Sequence, residues 1–313
     1  MQYLVSPSPH IRSSRTTRSI MLDVILALCP ALIASTVIFG GRVLLLTAVC
    51  VGSSILIEYL CRLARKKDQT IGDLSAVVTG MLLAMNLPVS TPLWVAMIGS
   101  FFAIAVAKQL FGGIGQNFAN PALTGRILLL MSFSGYLTTR SIPLGQEGVD
   151  AIAAATPLAR MAAGESTPTL LQMFLGVKSS CAMGEVSAAA LLLGGVYLVI
   201  RKVIKPITPL VFVGTVFLLS GALGMDPVAQ ILSGGLMLGA IFMATDYATT
   251  PATGWGKAVF GLGCGIITVL IRKYGSYPEG VSFAILLMNI LTPQIDKAFL
   301  QKPLGGKKVA KNA

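Results

Sequence analysis

The chain has 313 residues, 54% of them hydrophobic and only 12% charged, with a mean hydropathy of +0.79 and a formal net charge of +12. A soluble domain carries about 25% charged residues, so a water-facing fold is excluded and lipid is the expected solvent. The basic excess does not mark a nucleic-acid binder, because lysine and arginine fall in short clusters between apolar runs and form no aromatic-interleaved face.

In chain order, residues 1–19 are a polar tail with Arg12, Arg15, Arg18 and the only histidine, His10. The apolar run behind it has no small-residue cleavage site, so it is expected to be a first span and not a signal peptide. A span needs about 20 apolar residues, or somewhat fewer inside a bundle. Ten are predicted: 20–39, 43–60, 71–88, 92–110, 121–137, 185–201, 206–223, 227–244, 256–272 and 279–296. The predicted fold class is therefore an all-α polytopic membrane protein of about ten helices. Residues 20–137 form a first five-helix unit and 185–296 a second. An external loop, 138–184, lies between them, and 297–313 is a basic tail. Asn120-Pro121 and Ala248-Thr249-Thr250-Pro251 interrupt helical stretches. Irregular backbone at membrane depth is tolerated only inside protein or against a cavity, so both breaks are candidate binding regions.

An internal repeat is legible. Thr79–Ala84 echoes Gly234–Gly239, Trp94 after Thr91-Pro92 echoes Trp255 after Thr250-Pro251, and Ala107-Lys108-Gln109 echoes Ile271-Arg272-Lys273. A five-span unit is odd, so its second copy enters the membrane the opposite way round, as in inverted-repeat transporters. With a cytoplasmic N-terminus, 18 of the 24 basic residues fall inside; Arg42, Arg140, Arg160, Lys178, Arg272 and Lys273 fall outside. The positive-inside rule then places both termini in the cytoplasm and the 138–184 loop outside. The five cysteines form no CxxC pair and read as small packing residues; haem and tetrahedral metal sites lack ligands.

Chemistry is expected at a few polar residues. Thr156-Pro157, followed by Leu-Ala-Arg-Met-Ala-Ala and Gly164, reads as a helix cap, a first-turn proline and a glycine stop. A phosphate is also favoured at such a helix start. Asp23, Glu58, Asp73 and Asp246 lie in or beside apolar runs, where burying a carboxylate is costly and marks a functional candidate. Glu58 is expected to pair with Arg62 one turn on. Asp246 is either an ion-path residue with Thr245, Thr249 and Thr250, or a cap or partner of Lys257. Arg126 either holds a cofactor's polar edge or anchors the inner interface. Gly261-Leu262-Gly263-Cys264-Gly265 lacks a preceding strand and reads as helix packing, so NAD binding by this chain is not expected.

Asp150-Ala151-Ile152-Ala153-Ala154-Ala155-Thr156-Pro157-Leu158 resembles the flavin-attachment motif of the RnfD/NqrB family. Position 153, commonly serine or threonine in that motif, is alanine here. Asn117–Leu123, Phe242–Asp246 and Tyr277-Pro278-Glu279-Gly280 are similar to further family segments, in the same order. Gly184-Glu185, Arg201-Lys202 and the chain's length resemble the RnfD branch. The resemblance implies FMN esterified through its phosphate to Thr156, within the context of Asp150, Ala155 and Pro157. It also implies a second, non-covalent flavin, riboflavin, and a sodium-uptake role for Asp246. The implied setting is the bacterial inner membrane. There a subunit of an Rnf-type ferredoxin:NAD electron-transport complex, driving Na⁺ or H⁺, meets other membrane and peripheral subunits, a flavin transferase and lipid. The alternative is an inverted-repeat secondary transporter or channel with no redox role.

Overall fold

The computed structural model describes residues 15–138, 156–163, 168–176, 182–275 and 279–299. Among these the chain is helical, with no strand. Helices α1 (Thr17–Phe39) and α2 (Arg42–Ala64) are followed by a short turn, Ile71–Asp73, and α3 (Ser75–Met85). Next come α4 (Leu93–Gln109), α5 (Pro121–Ser132) and α6 (Ser134–Thr138). The connecting segment contributes α7 (Pro157–Ala163) and α8 (Leu170–Leu175), then α9 (Ala188–Ile200), α10 (Ile207–Ala222), α11 (Pro227–Leu232) and α12 (Leu236–Leu238). Finally α13 (Gly254–Tyr274) and α14 (Val281–Ala298) complete the bundle. Only α1, α2 and α13, among the described residues, have both the length and the apolarity to cross a membrane alone. The ten predicted spans all appear as helical segments, and the fold is an all-α polytopic membrane protein.

Several predicted spans differ from plain helices. The third is split: Leu74 adopts a left-handed φ of 64° between the Ile71–Asp73 turn and α3. The eighth is split at Ser233-Gly234-Gly235, where Gly234 has φ 66°. The fourth span changes character along its length: Phe102–Gln109 of α4 is π-helix. Five-residue hydrogen-bond rings widen the helix there and rotate the following side chains relative to α geometry. A second π stretch, Gly239–Met243, continues α12. At the Asn-Pro break, Asn120 caps α5 by accepting from Ala122 N and Leu123 N, with Pro121 in the first turn. Helix α8, closed by a capping box between Thr169 and Gln172, has no counterpart among the elements read from the sequence.

Packing repeats across the two sets of five. Helix α2 packs on α3 and α4, and α10 packs likewise on α11 and α13. Between the two sets α1 packs on α9 and α5 on α14. Glycine makes the closest approaches possible. A Cβ on Gly80 would stand 2.7 Å from the Cys50 carbonyl oxygen of α2, and one on Gly194 only 2.1 Å from that of Ala27 on α1. In lipid no hydrophobic force draws helices together, so such backbone proximity and its dispersion contacts carry the association.

Candidate functional site

Thr156 stands immediately ahead of Pro157, and its carbonyl accepts from Arg160 N at 2.9 Å. Pro157 and Leu158 are buried. The Leu158 side chain fills the space beside Gly234, where an added Cβ would meet its Cδ1 at 2.5 Å. The Thr156 turn therefore sits directly on the break of the eighth span. A narrow void there is bordered by Thr156, Pro157, Met173, Glu185, Leu232 and Ser233. Leu158 also borders a cavity of about 480 Å³ whose walls include Met161, Gln230, Arg272 and Lys273. Arg272 clamps the broken span: its guanidinium donates to the carbonyls of Gln230 (2.6 Å) and Ser233 (3.2 Å) and to Gln230 Oε1 (3.0 Å). Asp150 and Ala155 lie outside the described residues.

Arg126 is buried within a cluster of polar side chains. It is 6% exposed on α5 and stands among polar groups from three other segments. It donates to Asn86 Oδ1 (2.9 Å) and Ser282 Oγ (2.8 Å), pairs with Glu279, and lies 3.7 Å from Glu185 Oε1. A buried guanidinium needs carboxylate compensation, and the starts of spans six and ten supply it. Through Glu185, which also borders the Thr156 void, this cluster forms the layer behind the threonine. Sequence reasoning reaches Glu185 and Glu279 only as motif residues. Their position at span starts, opposite an arginine within a span, is the signal that could have found them.

A second buried cluster occupies the other end of the first five-helix set. Glu58 is fully buried and does not pair with Arg62. Its carboxylate receives Lys108 Nζ at 3.0 and 3.1 Å, Gln109 Nε2 at 2.8 Å and Thr70 Oγ1 at 3.0 Å. Lys108, 3% exposed, also donates to Ser75 Oγ at 2.6 Å, and that hydroxyl donates to Asp73. Glu58 and Asp73 are thus joined through Lys108 and Ser75. The π turn of α4 is the cause, because it brings Lys108 and Gln109 to the side facing α2. The Arg62 guanidinium lies instead beside Gly113. Another of the acids, Asp23, accepts from Tyr197 OH (3.0 Å) and pairs with Arg201 (3.2 Å), clasping α1 to α9.

A further cavity, of about 90 Å³, has Ser75, Thr79, Lys108, Asn117, Asn120 and Asp246 on its walls. Asp246 belongs to the non-helical turn that follows the eighth span. Its Oδ2 accepts from Thr249 Oγ1 at 3.2 Å. Burial pushes its carboxyl above the usual carboxylate range, with hydrogen bonds from Ala248 and Thr249 opposing. It does not cap α13, because Thr253 does so by accepting from Gly256 N (3.1 Å). Nor does it pair with Lys257 among the described residues. Of the three neighbouring hydroxyls, Thr245 donates to the Ile241 carbonyl and Thr250 to that of Ala244.

The sequence profile of the NQR2, RnfD, RnfE family matches residues 4–305. The chain belongs to that family. One relative is the D subunit of a Na⁺-translocating ferredoxin:NAD⁺ oxidoreductase complex of Acetobacterium woodii. It is 48% identical, over 99% of this chain and 97% of the relative. The D subunit of a proton-translocating ferredoxin:NAD⁺ oxidoreductase complex of Clostridium ljungdahlii is 42% identical, over 94% of each. The D subunit of an ion-translocating oxidoreductase complex of Actinobacillus succinogenes is 35% identical, over 94% of this chain and 96% of the relative. Two of these relatives carry different ions in their names, so family membership does not choose the ion.

Proposed function

We propose that the chain is the membrane-embedded D subunit of an ion-translocating ferredoxin:NAD⁺ oxidoreductase complex and that it carries FMN esterified to Thr156. Near-full-length similarity to D subunits of such complexes supports the first part. The seating of Thr156 on the broken eighth span, close to a large basic cavity, supports the second. That cavity, about 480 Å³ and edged by Arg272, Lys273 and Asp226, offers volume for a three-ring flavin and a net positive rim for its phosphate. Bound there, FMN supplies the electron-transfer chemistry, and the chain supplies position and electrostatics. Thr156 is the acceptor hydroxyl, Leu158 wedges its turn against Gly234, and Arg272 fixes the backbone that the turn rests on. The chain itself carries no dinucleotide fingerprint, so ferredoxin and NAD contacts belong to other subunits of the complex. A flavin transferase is needed to form the ester. Riboflavin, the second and non-covalent flavin of this reading, is larger than the inner cavity of about 90 Å³.

Asp246, on the wall of that inner cavity, contributes to an ion route entered from the cytoplasm, with both termini cytoplasmic and the Thr156 segment external. Its spare acceptor capacity and the surrounding oxygens suit a hard cation or a proton. Ultraviolet fluorescence of the denatured subunit in a gel tests the flavin. Wild type should glow and Thr156→Ala should be dark while still inserting. A fluorescent Thr156→Ala band removes the assignment, and a dark wild type made alongside its flavin transferase removes the covalent flavin and favours the transporter reading. In the assembled complex Asp246→Asn should keep the fluorescent band yet weaken the ion dependence of electron transfer; unchanged ion dependence excludes Asp246 from the route.

A further inference from the structure

Beside Asp246, a second cavity of about 440 Å³ opens between the ends of α9, α10, α13 and α14. Three lysines reach its walls: Lys202 and Lys205 from the turn between α9 and α10, and Lys257 from the first turn of α13. None of the three makes a salt bridge among the described residues. Two carboxylates share the walls, and each accepts a hydrogen bond. Asp296 Oδ1 accepts from Ala252 N at 3.0 Å and Asp246 Oδ2 from Thr249. Three cations therefore converge on one cavity with two acids, Asp296 acting electrostatically on Lys257, and the site keeps a net positive charge.

The surroundings place this cavity at headgroup level. Tyr247, 56% exposed, lines it, and Trp255, 77% exposed, lies two residues before Lys257 on α13. Amphipathic rings of this kind gather at a membrane interface. The Tyr247 hydroxyl donates to the Val203 carbonyl and fixes one wall to another. Exposed Ile207 and Leu210 of α10 and Val259 of α13 continue along the two helices as apolar surface. A soluble phosphate would use the lysines and leave that surface idle. A ligand with an anionic head and apolar chains uses both, and basic pockets between helices on the cytoplasmic side are suited to such headgroups.

We propose that this cavity is a headgroup site for an anionic phospholipid, whose phosphate is held by Lys202, Lys205 and Lys257 and whose acyl chains run along the exposed faces of α10 and α13. The site is independent of the flavin reading. The test uses the assembled complex, stripped of lipid in detergent and titrated with phosphatidylglycerol or phosphatidylcholine, with bound lipid counted by native mass spectrometry. Phosphatidylglycerol should bind, and phosphatidylcholine at least about tenfold more weakly. Each lysine-to-glutamine change should weaken phosphatidylglycerol binding about fivefold, and the triple variant about a hundredfold. A Lys66→Gln/Lys67→Gln control, which removes exposed charge elsewhere, should bind as wild type. Equal binding by the triple variant, or by phosphatidylcholine, overturns the proposal. Displacement by inorganic phosphate alone makes this a soluble-phosphate site instead. Absence of binding to the stripped wild-type complex means that another subunit covers the lysines, and also overturns it. Should the triple variant not assemble, Lys205→Gln, at an exposed position, carries the same comparison.

Discussion

At the scale of single residues, the molecule keeps its charges inside by pairing them. Glu58 and Lys108 are both buried at 3.0 Å. Breaking a buried pair by removing one partner typically costs about 3–5 kcal/mol, because the survivor is left uncompensated, whereas replacing both together is often near neutral. Glu58→Gln and Lys108→Met should each lower the thermal midpoint of the purified subunit markedly, and the double variant should regain most of the loss. Additive losses in that cycle would mean the two charges do not act as a pair. Glu58 is legible in the sequence as a candidate, but helical spacing offers it Arg62 as a neighbour. Lys108 lies 50 residues away, and no periodicity reports a partner at that separation. Arg126 is obscured for the same reason. Its compensating acids, Glu185 and Glu279, are remote in the chain, so a buried cation looks like one more interfacial arginine. Both corrections also thin the charge argument for orientation, since Arg126 and Lys108 are buried in ion pairs and report no side. In the proposed topology sixteen basic residues then remain on the cytoplasmic side against six on the other.

At the scale of elements, the spans are legible because lipid enforces them: an apolar run of the right length has no other stable state than a helix. The Asn120-Pro121 helix start is legible from its cap chemistry. The π stretch of α4 is not, because no residue type dictates it, and the break at Leu74 is hidden because a leucine occupies a left-handed position that usually calls for glycine. The glycines themselves divide into two kinds that the sequence cannot separate. Gly194 lies against the Ala27 backbone, while Gly52 has nothing within 4 Å of an added Cβ. Gly194→Ala should therefore force α1 and α9 apart and destabilise by about 1–3 kcal/mol. Gly52→Ala should be neutral or slightly stabilising, since alanine is the better helix former by about 1 kcal/mol. Thermal unfolding in detergent measures both. Equal effects of the two changes would contradict the close α1–α9 crossing.

At the scale of the whole molecule, two sets of five segments pack alike around a seam formed by α1 with α9 and α5 with α14. One cluster of buried charge lies within the first set, around Glu58. The other joins the sets, around Arg126. Reporter fusions after Lys178 should score external and those after Lys205 internal; the reverse pattern would invert the orientation and with it the side of Thr156. The brevity of several spans has a further consequence for how the protein is made. Helix α3 has eleven residues and α5 twelve, rises of only about 16–18 Å against a hydrocarbon core of about 30 Å. Released singly into the bilayer, either would drag non-helical flanks and their unpaired amides into oil. They cannot be handed over one by one as the ribosome delivers them. The insertion machinery is expected to release α1 and α2 singly and to shelter α3 until α4 and α5 have emerged, so the third to fifth segments enter lipid together.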